Sequence, residues 1–175
     1  MNTEEDVNRL CQLTVKFGAS DAKPIRAEDI VVRDWVRLKC QYGCGGYGKC
    51  LTCPPYSPTP EEFKKVVGNY ELAILLKFES KGPQRARGSS HEIVAKLERE
   101  TFLSGYYSAF GLASGPCPYC DECDIKECLH PDSTRPSMEA CGIDVYATVR
   151  RTGFNLKVVR NEDEKPTYFA LLFLK

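Results

Sequence analysis

The sequence predicts an α/β (or α+β) fold, a mixed β-sheet flanked by helices, with two cysteine-rich metal-binding loops following strands. Three observations predict it. Segments of helical periodicity alternate with short apolar or alternating runs, glycine and proline punctuate the joins, and eight of the ten cysteines fall into two loops instead of the periodic segments.

Taken in order, Thr3 with Asp6 resembles a helix N-terminus, and Val7, Leu10, Cys11 and Thr14 then share one helical face. Residues 24–26 and 30–40 read as strands, the second because Val36, Leu38 and Cys40 alternate with Trp35, Arg37 and Lys39. Thr59, Pro60 and Glu62 spell a capping box with proline at the first helical position, and Phe63, Val66, Val67 and Tyr70 give that helix a buried face. The run from Leu72 to Phe78 reads as a buried central strand. A helix is expected from near Ser89, with Ile93, Val94, Leu97 and Thr101 inward and Gly105 as its stop, followed by a strand over 106–112. Pro136 opens a last helix with the stripe Met138, Cys141, Val145 and Val149. Residues 156–160 and 168–174 are expected to close the chain as a β-hairpin. No repeat or linker divides residues 1–175, which read as a single metal-binding domain.

Bulk properties exclude several function classes. With 175 residues and 42% apolar content the chain can build a core without staples, so the cysteines are free for other work. The acidic opening Met1–Asp6 does not resemble a secretory leader, which leads us to expect a reducing cytoplasm and metal ligands over disulfides. Basic and acidic residues balance at 24 each, so no general attraction to nucleic acid is expected. The longest apolar runs are far short of a membrane span, so no membrane partner is expected either.

The chemistry lies in the two loops, residues 40–56 and 117–131. In the second, Cys117, Cys120, Cys123 and Cys128 are spaced C-x2-C-x2-C-x4-C, close to the bacterial ferredoxin run but one residue longer before the fourth cysteine. A cysteine at every third position can turn its thiolates around one inorganic core while backbone N–H groups remain free to bond the sulfurs. We read it as an iron–sulfur nest, with zinc as the alternative. In the first, Cys40, Cys44, Cys50 and Cys53 are spaced C-x3-C-x5-C-x2-C, among glycines 43, 45, 46 and 48 that permit positive φ or close approach, with Pro54 and Pro55 fixing the exit. Cys50 and Cys53 alone would suit a thiol redox pair, but that leaves Cys40 and Cys44 without a role. The fourth cysteine of each run need not serve its own cluster, since two-cluster ferredoxins exchange theirs; Cys128 and one cysteine of the first group are the candidates.

Cys11 and Cys141 belong to apolar stripes and read as inert core thiols. Lys81, Arg85 and Arg87 precede a helix and offer a possible anion pocket, with His91 in the first turn as a proton carrier or ligand; a solvated loop is the plainer reading. His130 lies two residues past Cys128 and either bonds a cluster sulfur or caps the loop.

The glycine-rich stretch ending Cys53-Pro-Pro-Tyr, the Cys-x2-Cys-x2-Cys run, Cys128-x-His-Pro, Arg135-Pro-Ser-Met-Glu-Ala and Gly142-Ile-Asp-Val together resemble a prokaryotic family of predicted metal-binding proteins, a domain of unknown function frequent in anaerobes. The resemblance implies that the eight loop cysteines are metal ligands and that an iron–sulfur redox or assembly role fits; it implies no catalytic residue. The expected function is therefore a cytoplasmic protein with one or two [4Fe–4S] clusters, serving a redox enzyme or electron-transfer protein. The alternatives are a structural zinc-binding interaction module and an enzyme with an open metal site beside the basic pocket.

Overall fold

The computed structural model describes residues 4–79, 87–161 and 163–175, the side chains of 87–89 excepted. Among the described residues five α-helices, α1 (Glu4–Lys16), α2 (Trp35–Gly43), α3 (Pro60–Val67), α4 (Arg87–Leu103) and α5 (Val145–Arg151), surround four strands, β1 (Asp21–Arg26), β2 (Leu72–Glu79), β3 (Phe110–Leu112) and β4 (Thr167–Phe173). The sheet order is β1-β2-β4-β3. The α/β character is as expected, but among the described residues every strand pairing is antiparallel, and parallel contact is confined to the isolated bridge between Ala113 and Ser137.

Both faces of the sheet are covered, which is why β2 and β4 are continuous apolar runs. Ala73, Leu75, Leu171 and Phe173 point to a core that includes Phe63 of α3, Met138, Cys141 and Val149 of α5. Their neighbours Ile74, Leu76, Ala170 and Leu172 point the other way, onto Val7 and Leu10 of α1 and Val94 and Leu97 of α4. The α1 stripe and the central strand are thus where the periodicity put them; Thr3, the expected cap, lies outside the described residues.

Three expected elements differ. Residues 35–43 form helix α2, not a strand: only Val36 of the helix is buried, and Arg, Leu, Lys and Gln favour a helix once no sheet edge takes the segment up. The first cysteine loop therefore follows a helix. The helix expected from Pro136 is a 3-10 turn, Glu139–Cys141, separated from α5 by Gly142 at φ 81°. The closing hairpin is absent, because β4 already has β2 on one edge and β3 on the other, leaving no edge for 156–160. The last strand is central instead.

The capping box of α3 is formed as expected. Thr59 Oγ1 accepts from the Glu62 N–H at 3.3 Å, and the Glu62 carboxylate accepts from the Thr59 N–H at 2.8 Å. Since six residues separate Cys53 from the start of α3, this box also fixes the exit of the first loop. Thr59→Ala is expected to lower the melting temperature by about 2–4 °C, measured by circular dichroism.

Candidate metal centre

The second loop is pinched off at its neck. The Ala113 N–H donates to the Pro136 carbonyl at 2.9 Å and the Met138 N–H to the Ala113 carbonyl at 3.2 Å, so residues 114–136 leave and re-enter the body at one point. A strut from α4 holds the returning limb. Arg135 donates through Nε to Glu98 Oε2 at 2.7 Å, and through Nη1 to the carbonyls of Thr134 at 2.6 Å and Pro131 at 3.2 Å. Glu98 Oε2 also accepts from the Gly111 N–H at 2.7 Å, tying the strut to β3 just ahead of the loop. Bidentate Arg–carboxylate geometry, with both side chains 15% exposed, makes this pair more rigid than a surface ion pair.

The first loop is anchored from α2. Arg37 Nη1 donates to the carbonyls of Pro58 and Ala140, both at 2.8 Å, and Ser57 Oγ donates to the same Ala140 carbonyl at 2.7 Å. The Cys40 thiol lies against the Glu139 carbonyl at 3.9 Å. Of glycines 43, 45, 46 and 48, Gly48 alone takes positive φ, at 71°. Gly46 acts by close approach: a Cβ there would lie 3.7 Å from both the Cys44 and the Cys53 sulfur.

These anchors bring the two loops together, and the eight candidate thiols do not divide by motif. Cys50 stands with the second loop in a cleft lined by Cys117, Cys120, Cys123 and Cys128. Its thiol is hydrogen-bonded to Thr52 Oγ1 at 3.2 Å and also meets the Cys123 thiol and the Cys117 backbone. Cys40, Cys44 and Cys53 line a separate cavity of about 320 Å³, with the Cys53 thiol still meeting that of Cys50 across the turn. The turn Cys50-Leu51-Thr52-Cys53 is the wall between the two. Spacing alone could not reveal this partition, because it depends on α2 and the Glu139–Cys141 turn presenting the first loop to the second.

The electrostatics follow from crowding thiols in partial burial. Burial raises the Cys53 thiol to about 12, with the Cys50 and Cys44 thiolates adding to it. Cys117 is pushed up to about 11, mainly by burial, with Cys50, Cys120 and Cys128 as like-charged neighbours. For Cys50 burial pulls upward, but the hydrogen bonds from Thr52, Cys123 and Cys117 outweigh it and hold the thiol below its ordinary value. Such a set repels itself when ionised and is relieved by cations, so metal loading would release protons.

The cleft around Cys50 measures about 20 Å³, room for about one water. Among the described residues no three Cys, His, Asp or Glu side chains converge tightly enough to hold a single metal ion. A four-iron core would need the loop to open; residues 117–131 contain no helix or strand and are mostly exposed. The donor set itself fits, with five thiols around one space and the His130 N–H donating to Cys128 Sγ at 3.4 Å. Through its backbone His130 bonds the Cys128 sulfur and closes the loop, its carbonyl accepting from Ser133 and Thr134 at 3.1 Å.

Cys141 is fully buried, its thiol raised to about 12, and Cys11 is half-buried and raised to about 11, both chiefly by burial, as core thiols should be. Lys81 and Arg85 lie outside the described residues, as does the side chain of Arg87. His91 is fully buried behind residues 114–116, edge-on to Tyr119 at 6.3 Å, and neither ring nitrogen has a well-aligned hydrogen-bond partner. Burial holds its pKa below the ordinary value, against a smaller opposing pull from the backbone of Gly115, Pro116 and Ser114. A depressed folded value means the unfolded chain binds the proton first. The metal-free protein is therefore expected to lose stability as pH falls below about 6.5, and His91→Gln to flatten that loss in urea titrations at pH 7 and pH 5.

Among the described residues no helix is long and apolar enough to cross a membrane. The chain matches the family model described as predicted metal-binding protein (DUF2284) over residues 23–174, and it belongs to that family. No curated protein and no solved structure matches it.

Proposed function

We propose that this member of a predicted metal-binding family is an iron–sulfur protein that holds two [4Fe–4S] clusters and passes single electrons to or from a redox partner. The observation that carries the reading is the place of Cys50, which leaves its own motif to stand among the four thiols of the other. A closed zinc tetrahedron and a four-iron core each take four ligands, so the count by itself favours neither; the mixing of the two runs favours iron–sulfur. Exchange of a cysteine between neighbouring runs is the habit of two-cluster iron–sulfur proteins. Hydrogen bonds to the Cys50 and Cys128 sulfurs from the backbone of Cys117 and His130 add support, since such donors tune cluster potential.

In this reading Cys50 and three of Cys117, Cys120, Cys123 and Cys128 supply the four thiolates of one centre, and Cys40, Cys44 and Cys53 serve the other. Each cluster, when bound, supplies a one-electron couple. The chain's own part is to fix the thiolates, donate N–H bonds to sulfur, and set the two centres on either side of one short turn. Ten free cysteines fit a reducing cytoplasm.

The test is anaerobic purification followed by iron, zinc and acid-labile sulfide analysis on one sample, with a visible spectrum before and after dithionite. About eight irons and eight sulfides per chain, with a band that bleaches, are expected. About one or two zincs with no sulfide would overturn the reading in favour of a structural module.

A further inference from the structure

We infer that the outward face of α2 is where the redox partner docks, and that this partner is an electron-transfer protein whose contact surface sets carboxylates around an apolar centre. This rests on the iron–sulfur reading above and assigns its partner a landing face and a charge.

The helix is turned inside out. Leu38, Tyr42, Trp35 and Lys39 fall within one arc of about 100° around its axis, and the three apolar members are 55%, 80% and 48% exposed. On the other side Val36 is buried, the Arg37 guanidinium bonds the Pro58 and Ala140 carbonyls, and the Cys40 thiol lies against the Glu139 carbonyl. A surface helix ordinarily buries its apolar stripe and wets its charges, so a stripe held outward by an inward arginine marks a contact surface. The same helix delivers the first cysteine loop: Cys40 lies within it and the exposed Cys44 closes it. A protein seated on the arc is therefore beside two of the candidate thiolates.

Area and charge define the partner. Large aromatic side chains present about 150–250 Å² each, so with Leu38 the exposed fractions amount to roughly 400 Å². That is about half of what each side buries in a standard interface, short of a stable dimer and suited to the smaller, transient contacts of electron-transfer pairs. The exposed charges on and beside the helix are basic. Arg33, Lys39 and, in the loop that follows, Lys49 are exposed, whereas Asp34 faces Lys64 at 3.8 Å. Asp144 and Glu139, across the adjoining cavity, are half-buried and engaged, the first by accepting from the Ala147 N–H at 2.9 Å. The second cysteine loop has the opposite character, with Asp121, Glu122, Asp124 and Glu127 exposed against Lys126. The two loops thus favour partners of opposite charge, and the large aromatic surface lies with the basic one.

The experiment uses the full chain, loaded anaerobically with iron and sulfide and reduced, mixed by stopped flow with an acidic flavodoxin, with basic cytochrome c, or with ferricyanide, a small acceptor that needs no docking face. In each case one electron leaves the reduced cluster, which is oxidised, and reduces the flavin, the haem iron or the ferric ion; the flavin takes any proton from solvent. Flavodoxin is expected to react faster at about 20 mM than at about 200 mM salt. Leu38→Gln with Tyr42→Gln, at exposed positions where glutamine keeps the helix, is expected to slow that reaction about tenfold while ferricyanide reduction and the iron and sulfide content stay unchanged. Lys39→Glu is expected to slow flavodoxin about threefold at low salt and to quicken cytochrome c. Flavodoxin reduction that the double variant does not slow, with ferricyanide still taking the electron, would overturn the docking face and leave the iron–sulfur reading standing. A slowing confined to cytochrome c would overturn the acidic partner. Sedimentation as a dimer that the double variant splits would give the face to a second copy of the chain instead. A chain that takes up no iron and sulfide would overturn both readings.

Discussion

Cys50→Ala is expected to remove the centre built on the second loop and leave the other, so that iron and sulfide each fall from about eight to about four per chain. Cys50 is buried, held by three hydrogen-bonding neighbours, and stands on a short turn, whereas its four companions sit on a loop without helix or strand. Its removal takes away the one rigidly placed thiolate. The partition makes the double variants informative. Cys50→Ala with Cys123→Ala should be no worse than either alone, because both strike one centre. Cys50→Ala with Cys44→Ala should strip nearly all the iron, because they strike different ones. If cysteines served by motif, the second pair would behave as the first.

Gly111→Val is expected to cost about 3 kcal/mol or more of stability in urea denaturation of the metal-free protein. A Cβ built at Gly111 meets Val94 Cγ1 at 2.3 Å, and Val94 is a fully buried residue of α4 that has nowhere to retreat. The same backbone N–H bonds Glu98, whose carboxylate holds Arg135 and through it the limb of the second loop. Metal uptake should therefore fall together with stability. Gly45→Ala is the control, since a Cβ there meets nothing within 4 Å at an ordinary φ, and it should change neither.

Local chemistry was legible in the sequence where it is sufficient. Thr59 and Glu62 are three residues apart and can only meet in a capped helix. The apolar run at 72–78 has no polar face to offer solvent and so must be central. Residues 30–40 misled because alternation is a strand signal only if an edge receives it, and here Val31 bonds Asp144 and Thr148 from distant parts of the chain instead. Residues 156–160 misled for the converse reason: β3, just three residues long, had already taken the edge of β4. The eight loop cysteines could be picked out by spacing as candidates, but not that the Cys50 thiol stands beside the second loop. That Cys50 crosses and Cys53 does not depends on Arg37 drawing α2 onto Ala140, a contact between residues 103 positions apart.

The most direct test of that partition is alkylation mapping by mass spectrometry on the Cys44→Ala variant, loaded anaerobically with iron and sulfide, each thiol referred to its own rate in the metal-free protein. Cys40 and Cys53 are expected to lose their protection, while Cys50 stays protected together with Cys117, Cys120, Cys123 and Cys128. Loss of protection at Cys50 in step with Cys40 and Cys53 would contradict it, and would return the cysteines to the two groups their spacing suggests.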